Sequence, residues 1–198
     1  MKFKIYDILA QLIPGFIIYI AYLELAGESF DKDFIVPATA IAFVIGYFVN
    51  TLASWAEDMY YWTWGGKPSD KLLEGKDIWK VRFYSYQEAK EMLQKETSNT
   101  SPSNDEIFGI AMRYASPEVN SRVGDFNANY AFSRVMLTTV LIASVILFWE
   151  YYEKWITYVA LFPMIFVAWY RCKQRGYYFA REVLKTYLKI KKYEEKAK

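Results

Sequence analysis

Histidine is absent from this chain of 198 residues, and cysteine occurs once, at Cys172. Without histidine, the chain cannot form a Ser-His-Asp or Cys-His nucleophile system, a histidine general base or a histidine metal site. One cysteine cannot form an internal disulfide bond or a cysteine-based zinc site. The composition therefore predicts a non-enzymatic protein without a cofactor or metal, although enzymes built on Asp, Glu, Lys or Tyr stay open.

Aromatic residues, by contrast, are abundant, with 18 Tyr, 14 Phe and 7 Trp. Membrane interfaces favour Trp and Tyr. Four apolar stretches approach the length of about 20 residues with which a helix crosses a bilayer. They are Tyr6–Leu25, Phe34–Ala53, Phe132–Trp149 and Trp155–Tyr170. The sequence predicts an all-α, polytopic membrane protein with four transmembrane helices and a helical cytoplasmic lobe.

The first stretch, IYDILAQLIPGFIIYIAYLEL, contains Pro14 and Gly15 in its middle. Both residues are tolerated in membrane helices, because neighbouring helices and local adjustments satisfy the freed backbone groups. The pair predicts a kink or a point of close helix packing.

The charges of the connecting segments predict an orientation. The segment from Glu24 to Asp33 has a net charge of −3, and the tail that starts at Arg171 has a net charge of +7. Basic residues gather on the cytoplasmic side of a membrane. We therefore expect both termini and the long middle segment to lie in the cytoplasm, at a bacterial inner membrane.

These spans divide the chain into four segments. They are a first transmembrane helix pair (1–53), a helical cytoplasmic insertion (54–131), a second pair (132–170) and a basic amphipathic C-terminal helix (171–198).

Within the insertion, Ser103 lies three residues before Glu106, which indicates a capping box. The motif GGKPS lacks the spacing of a phosphate loop and indicates a turn. From Pro117, the pattern predicts one helix that runs unbroken into the third span.

The C-terminal tail has two faces at helical spacing. Arg181, Lys185, Lys189 and Lys192 form a basic stripe opposite an apolar one. One interpretation is anchoring to anionic lipid in the cytoplasmic leaflet. The other is RNA or nucleotide binding, because basic residues interleaved with tyrosine suit phosphates and bases. The residues expected to make either contact are Arg171, Lys173, Arg175, Arg181, Lys185 and Lys189.

Two further groups of polar residues lie at or near the predicted spans. The first group precedes or enters the third span, where polar groups are often paired or functional. It is a candidate partner-docking face or pore mouth, or else a solvated helix neck, and consists of Asn120, Arg122, Asp125, Asn129 and Arg134. The second group is Asp7, Gln11 and Asn50. We expect these three residues either to line a polar path or to form hydrogen bonds between helices. In the second case, Asn50 is the expected partner of Asp7 and Gln11.

The motifs LIPGF and GKPSDKLL, the four spans and the cytoplasmic insertion resemble the small accessory membrane proteins of type VI-B CRISPR loci. The four-span kind is associated with repression of the RNA-guided ribonuclease, and similar proteins occur beside other bacterial antiphage systems. The resemblance transfers no functional residue to this chain. It implies a membrane role in antiviral defence.

The resulting hypothesis is a non-enzymatic, CRISPR-associated accessory protein that modulates an RNA-targeting effector or perturbs the membrane. Its expected partners are anionic lipids, further copies of the chain, and an RNA-guided ribonuclease effector or its RNA. The alternative is a small oligomeric channel or transporter unrelated to defence.

Overall fold

The computed structural model describes residues 5–117 and 121–197, with side chains described from residue 8 onward. The α-helices in this part of the chain are α1 Ile5–Ala26, α2 Ile35–Trp55, α3 Glu57–Trp64, α4 Pro68–Leu73, α5 Tyr86–Lys95, α6 Asn104–Ala115, α7 Val123–Glu150 and α8 Trp155–Lys196. No strand occurs in the described ranges, where an isolated bridge pairs Ile78 with Val81. The all-α prediction is confirmed.

Four of these helices, α1, α2, α7 and α8, are long and apolar enough to cross a membrane, as predicted. Large apolar side chains on them face outward. Phe162 in α8, for example, is 70% exposed, and Phe48 in α2 and Phe166 in α8 are exposed as well. A large exposed apolar surface is unfavourable in water, and it is the surface that a helix in a bilayer presents to lipid.

The chain divides into two compact units, and α7 and α8 contribute residues to both. Unit 1 contains residues 1–58 and 131–172. In it, α1 and α2 pack through small residues, because a Cβ added to Gly15 would overlap Ala42 and one added to Gly46 would overlap the backbone of Gln11. The Pro14-Gly15 pair therefore lies at a point of close packing, and α1 continues through it.

Unit 2 contains residues 59–130 and 173–198. Its core is formed by α8 together with apolar side chains from α4, α5 and α6, such as Leu72, Leu93 and Ile107. The apolar stripe predicted for the tail is buried in this core, and α8 continues directly from the fourth apolar stretch. The buried residues of that stripe are Tyr177, Ala180, Val183, Leu184, Tyr187 and Leu188.

Helix boundaries in unit 2 follow local hydrogen bonds. The Ser103 hydroxyl accepts a hydrogen bond from the backbone N–H of Glu106 at 3.2 Å, so the predicted N-cap of α6 is present.

The predicted helix from Pro117 into the third span is wrong, because α7 begins at Val123. The Ser121 hydroxyl donates to the Ala115 carbonyl and accepts from Val123 N–H, each at 3.2 Å. This hydroxyl links the end of α6 to the start of α7, so α7 begins six residues later than predicted.

Candidate functional site: a basic aromatic groove

A groove of about 730 Å³ lies in unit 2, between the polar face of α8 and residues 79–85, which connect α4 to α5. Its lining has six basic side chains and no carboxylate. One wall consists of Arg181, Lys185, Leu188, Lys189 and Lys192, and the other of Trp79, Lys80, Arg82, Phe83, Tyr84 and Ser85. A concave surface with this charge attracts anions.

The basic wall follows from the helical spacing of α8. Four residues along a helix advance by about 6 Å, so Arg181, Lys185 and Lys189 form a row of evenly spaced cations. Like charges at this spacing repel one another and destabilise a helix by a few tenths of a kcal/mol per pair. Among the described residues, no carboxylate pairs with these three side chains, whereas Lys192 lies 2.7 Å from Glu88 Oε1.

The opposite wall is built around a tight turn. Backbone hydrogen bonds join Ile78 and Val81 in both directions, at 3.3 and 2.9 Å, and leave Trp79 and Lys80 at the tip. Lys80 has φ of 67°, in the left-handed region that costs a residue with a Cβ about 1 kcal/mol. Its ammonium nitrogen lies 4.3 Å from the centroid of the Trp79 ring, a cation–π contact.

Beyond the turn, the side chains alternate between the core and the groove. Val81 and Phe83 are buried, and the Phe83 N–H donates to Asp77 Oδ1 at 3.0 Å. Arg82 and Tyr84 therefore point away from the core, and Arg82 donates to the Tyr84 hydroxyl at 3.3 Å. This hydrogen bond raises the pKa of Arg82, which keeps its positive charge.

Two aromatic side chains of this wall are exposed, Trp79 at 69% and Tyr84 at 78%. Sites that bind single-stranded nucleic acids combine exposed aromatic rings with basic residues, because the rings stack on bases and the cations pair with phosphates. The groove therefore contains the two chemical elements that binding to a nucleotide chain requires.

A second, smaller groove of about 580 Å³ lies beside α8 and shares Lys185 and Lys189 with the first. Arg122 contributes to its lining, as do the carboxylates Glu182 and Glu194. The two lysines thus form a ridge between two concave surfaces, one purely basic and one of mixed charge.

Half of the tail residues predicted to bind lipid or nucleic acid line the basic groove, namely Arg181, Lys185 and Lys189. The other half lies elsewhere. Arg171 is exposed and belongs to unit 1, Lys173 lies 3.5 Å from the Trp64 carbonyl oxygen, and Arg175 is half-buried.

Sequence reasoning missed the second wall of the groove. Its signal is the short alternation of polar and apolar residues from Lys80 to Phe83, which is typical of an extended segment with one buried side. That alternation indicates that Arg82 and Tyr84 face outward together.

The predicted polar group near the third span is divided between the two units. In unit 2, Asp125 is exposed and its carbonyl oxygen accepts a hydrogen bond from the Asn129 side chain at 2.8 Å. Arg122 lies 5.1 Å from the Phe126 ring centroid. Asn120 lies outside the described residues.

Arg134, the remaining member of that group, belongs to unit 1 and forms an ion pair with Glu57 at 2.5 Å. Its guanidinium also donates to the Ser54 hydroxyl at 3.1 Å. Arg134 therefore connects α7 to residues at and after the end of α2.

Of the residues predicted to be polar positions within the membrane, Gln11 and Asn50 are not hydrogen-bonded to each other. Gln11 Oε1 is buried without a hydrogen-bond partner among the described residues, and no hydrogen bond joins Gln11 to the half-buried Asn50. The Asp7 side chain lies outside the described part of the structure. No group of three or more potential metal ligands occurs in the described ranges.

No family model, curated protein or solved structure matches this chain. The groove must therefore be interpreted from its own chemistry.

Proposed function

We propose that this chain is a non-enzymatic accessory protein of a bacterial antiphage system, anchored in the inner membrane, which modulates an RNA-targeting effector by binding RNA in the basic groove. The observation that carries the proposal is the lining of the groove, with six cations, two exposed aromatic rings and no carboxylate. The resemblance to accessory proteins of type VI-B CRISPR loci supports the role in defence.

Charge is the first argument for a polymeric anion. When Lys and Arg side chains neutralise phosphates, the cations condensed on the nucleic acid are released, and the resulting gain in free energy increases with each contact. Arg181, Lys185 and Lys189 lack carboxylate partners in the described ranges, so a bound strand would also relieve their mutual repulsion. An anion with repeated charges can pair with all three of these side chains, whereas a single phosphate cannot.

Shape is the second argument, because it distinguishes RNA from a lipid surface. A bilayer surface is flat and meets a concave lining only through headgroups that protrude into it. A flexible strand follows the groove and reaches both walls, including Trp79 and Tyr84. We therefore assign the groove to RNA and not to anionic lipid, which the tail contacts elsewhere through residues such as the exposed Arg171.

The chemistry of the lining supports binding without catalysis. Hydrolysis of RNA needs a general base near its working pKa and a group that protonates the leaving oxygen. Neither a carboxylate nor a histidine lines the groove. In this proposal, the residues of the lining hold a strand without cleaving it.

The membrane part serves as the anchor in this proposal. Four helices are long and apolar enough to span a bilayer. The distribution of Lys and Arg supports an orientation with both termini and unit 2 in the cytoplasm, where effector and RNA meet the groove. Homo-oligomerisation of the spans stays a prediction that crosslinking in native membranes tests.

The test is a phage challenge in bacteria that carry an RNA-guided ribonuclease system, with wild-type protein, without it, and with the double variant K185Q/K189Q. The matched control is K95Q/K196Q, which removes the same charge from two exposed lysines of unit 2 that line neither groove and form no ion pair among the described residues. We expect the groove variant to behave like the deletion and the control to behave like wild type. Protection that is the same with and without the protein would refute the role in defence.

A small oligomeric channel or transporter is the second candidate, and Gln11 is the observation that favours it. Its buried Oε1 lacks a partner among the described residues, and such groups in membrane helices often belong to ion or substrate paths. Steady ion leakage from cells that express the protein without phage, abolished by Gln11→Leu, would favour this function over the first.

A further inference from the structure

We infer that the basic groove selects single-stranded over double-stranded nucleic acid by stacking a base on Trp79. This inference rests on the proposed function, since it specifies which form of RNA the groove binds. It follows from the arrangement of the walls, the turn that carries Trp79, and the length of the cation row.

The two walls differ in chemistry. The α8 wall offers cations and Leu188, whereas the opposite wall offers Trp79 and Tyr84 in addition to Lys80 and Arg82. A single strand presents phosphates along its backbone and unstacked bases beside them, so it can use both walls at once. A duplex keeps the faces of its bases stacked inside and would contact only the cations.

The turn from Ile78 to Val81 holds Trp79 in an exposed position. Its backbone hydrogen bonds and the left-handed Lys80 fix the tip, and such backbone conformations persist where the surrounding structure enforces them. An ammonium group already rests 4.3 Å from the centre of the Trp79 ring. An entering base would replace this ammonium group on the ring, and Lys80 would then pair with a phosphate of the same strand.

The cation row sets the length of the ligand. From Arg181 to Lys189 it extends about 12 Å, which corresponds to roughly two to four nucleotides. Lys185 and Lys189 also line the second groove, where Arg122 adds a further positive charge. The preferred ligand is therefore an oligonucleotide and not a mononucleotide.

The experiment uses the full chain in nanodiscs of uncharged lipid, which removes competition from anionic headgroups. Fluorescence anisotropy measures binding of a labelled single-stranded RNA of about 12 nucleotides, within the range of known single-strand sites. The same RNA as a duplex, single-stranded DNA, a mononucleotide and anionic vesicles serve as further probes. We expect the single strands to bind at least tenfold more tightly than the duplex or the mononucleotide.

Variants of the two walls separate stacking from charge. We expect Trp79→Leu to weaken single-strand binding about tenfold with no change in its salt dependence, and Trp79→Phe to restore most of it. The double variant K185Q/K189Q should lower the slope of log affinity against log salt by about 1.4, because two phosphate contacts are lost. The matched control for stacking is Trp62→Leu, since Trp62 is 81% exposed in the same unit but does not line the groove.

The possible outcomes distinguish failure of this inference from failure of the proposed function. Equal binding of single strand and duplex, or equal effects of Trp79→Leu and Trp62→Leu, would overturn the inference while leaving RNA binding by charge, and the proposed function, intact. Binding of vesicles without binding of any oligonucleotide would overturn both. Trp79→Phe keeps the test valid if Trp79→Leu fails to fold, because a preserved aromatic ring must preserve selectivity.

Discussion

Gly15 of α1 and Gly46 of α2 approach so closely that a Cβ built on Gly15 would lie 2.8 Å from the Gly46 backbone nitrogen. The atoms in the way are backbone atoms, which cannot move aside as a side chain does. We expect Gly15→Ala to destabilise the folded protein by about 2 kcal/mol, the typical cost of overpacking. Thermal unfolding in detergent micelles measures the change.

The control for this substitution is Gly109→Ala in α6, where an added Cβ meets no atom within 4 Å. Alanine favours a helix interior over glycine by about 1 kcal/mol, so this variant should be slightly more stable than wild type. An equal or higher melting temperature for Gly15→Ala would show that α1 and α2 can separate at no cost.

The ion pair between Arg134 and Glu57 is mostly buried, with side-chain exposures of 13% and 27%. Removing one partner leaves a charge in a poorly hydrated place. We expect Glu57→Gln to destabilise the protein by about 2 kcal/mol, and the double variant E57Q/R134M to recover part of that loss. Denaturation of all four members of this mutant cycle in the same detergent gives the coupling energy, and additive effects would contradict the prediction.

The raised pKa of Asp70 predicts that the stability of the folded chain depends on pH. Burial raises the pKa of this carboxyl above its ordinary value of 3.8, and the nearby Asp105 adds to the increase, while Lys67 and Lys71 oppose it. The folded chain therefore binds the Asp70 proton more tightly than the unfolded chain does. Its contribution to stability is complete below about pH 4 and is lost as the pH rises through the raised pKa.

We therefore expect Asp70→Asn to raise the melting temperature at neutral pH and to leave it nearly unchanged below about pH 4. The substitution also removes a buried carboxylate oxygen that lacks a hydrogen-bond partner among the described residues. Melting curves of both proteins over this pH range test the sign, and a lower melting temperature at neutral pH would reverse it.

The N-cap of α6 gives a prediction confined to unit 2. Ser103→Ala removes the acceptor for the Glu106 N–H and should cost about 1 kcal/mol. Glu106 does not complete the reciprocal half of the capping box with its side chain, which instead accepts hydrogen bonds from Thr97 and Asn99. Ser116→Ala is the control, because this exposed serine follows α6 without a side-chain hydrogen bond in the described part of the chain. Equal losses from both variants would argue against a capping role for Ser103.

The elements that sequence predicts well are those with long, regular patterns. The apolar stripe from Tyr177 to Leu188 repeats at helical spacing over three turns, and each of its members is buried. The four apolar helices follow from hydropathy and length alone. In both cases, one type of interaction, the burial of apolar surface, determines the result.

The elements that sequence does not predict depend on contacts between distant residues. The start of α7 depends on the Ser121 hydroxyl, which reaches Ala115 across a turn. The groove depends on Arg82 and Arg181 lining one concave surface although they lie far apart in the chain. Gln11 and Asn50 illustrate a different failure, since two polar side chains on packed helices need not form a hydrogen bond with each other.

The ridge of Lys185 and Lys189 belongs to two concave surfaces at once. Acetylation of either lysine removes a positive charge and a hydrogen-bond donor. A single such modification would therefore weaken both grooves together, and ligands bound on the two sides of α8 would compete for the same ammonium groups.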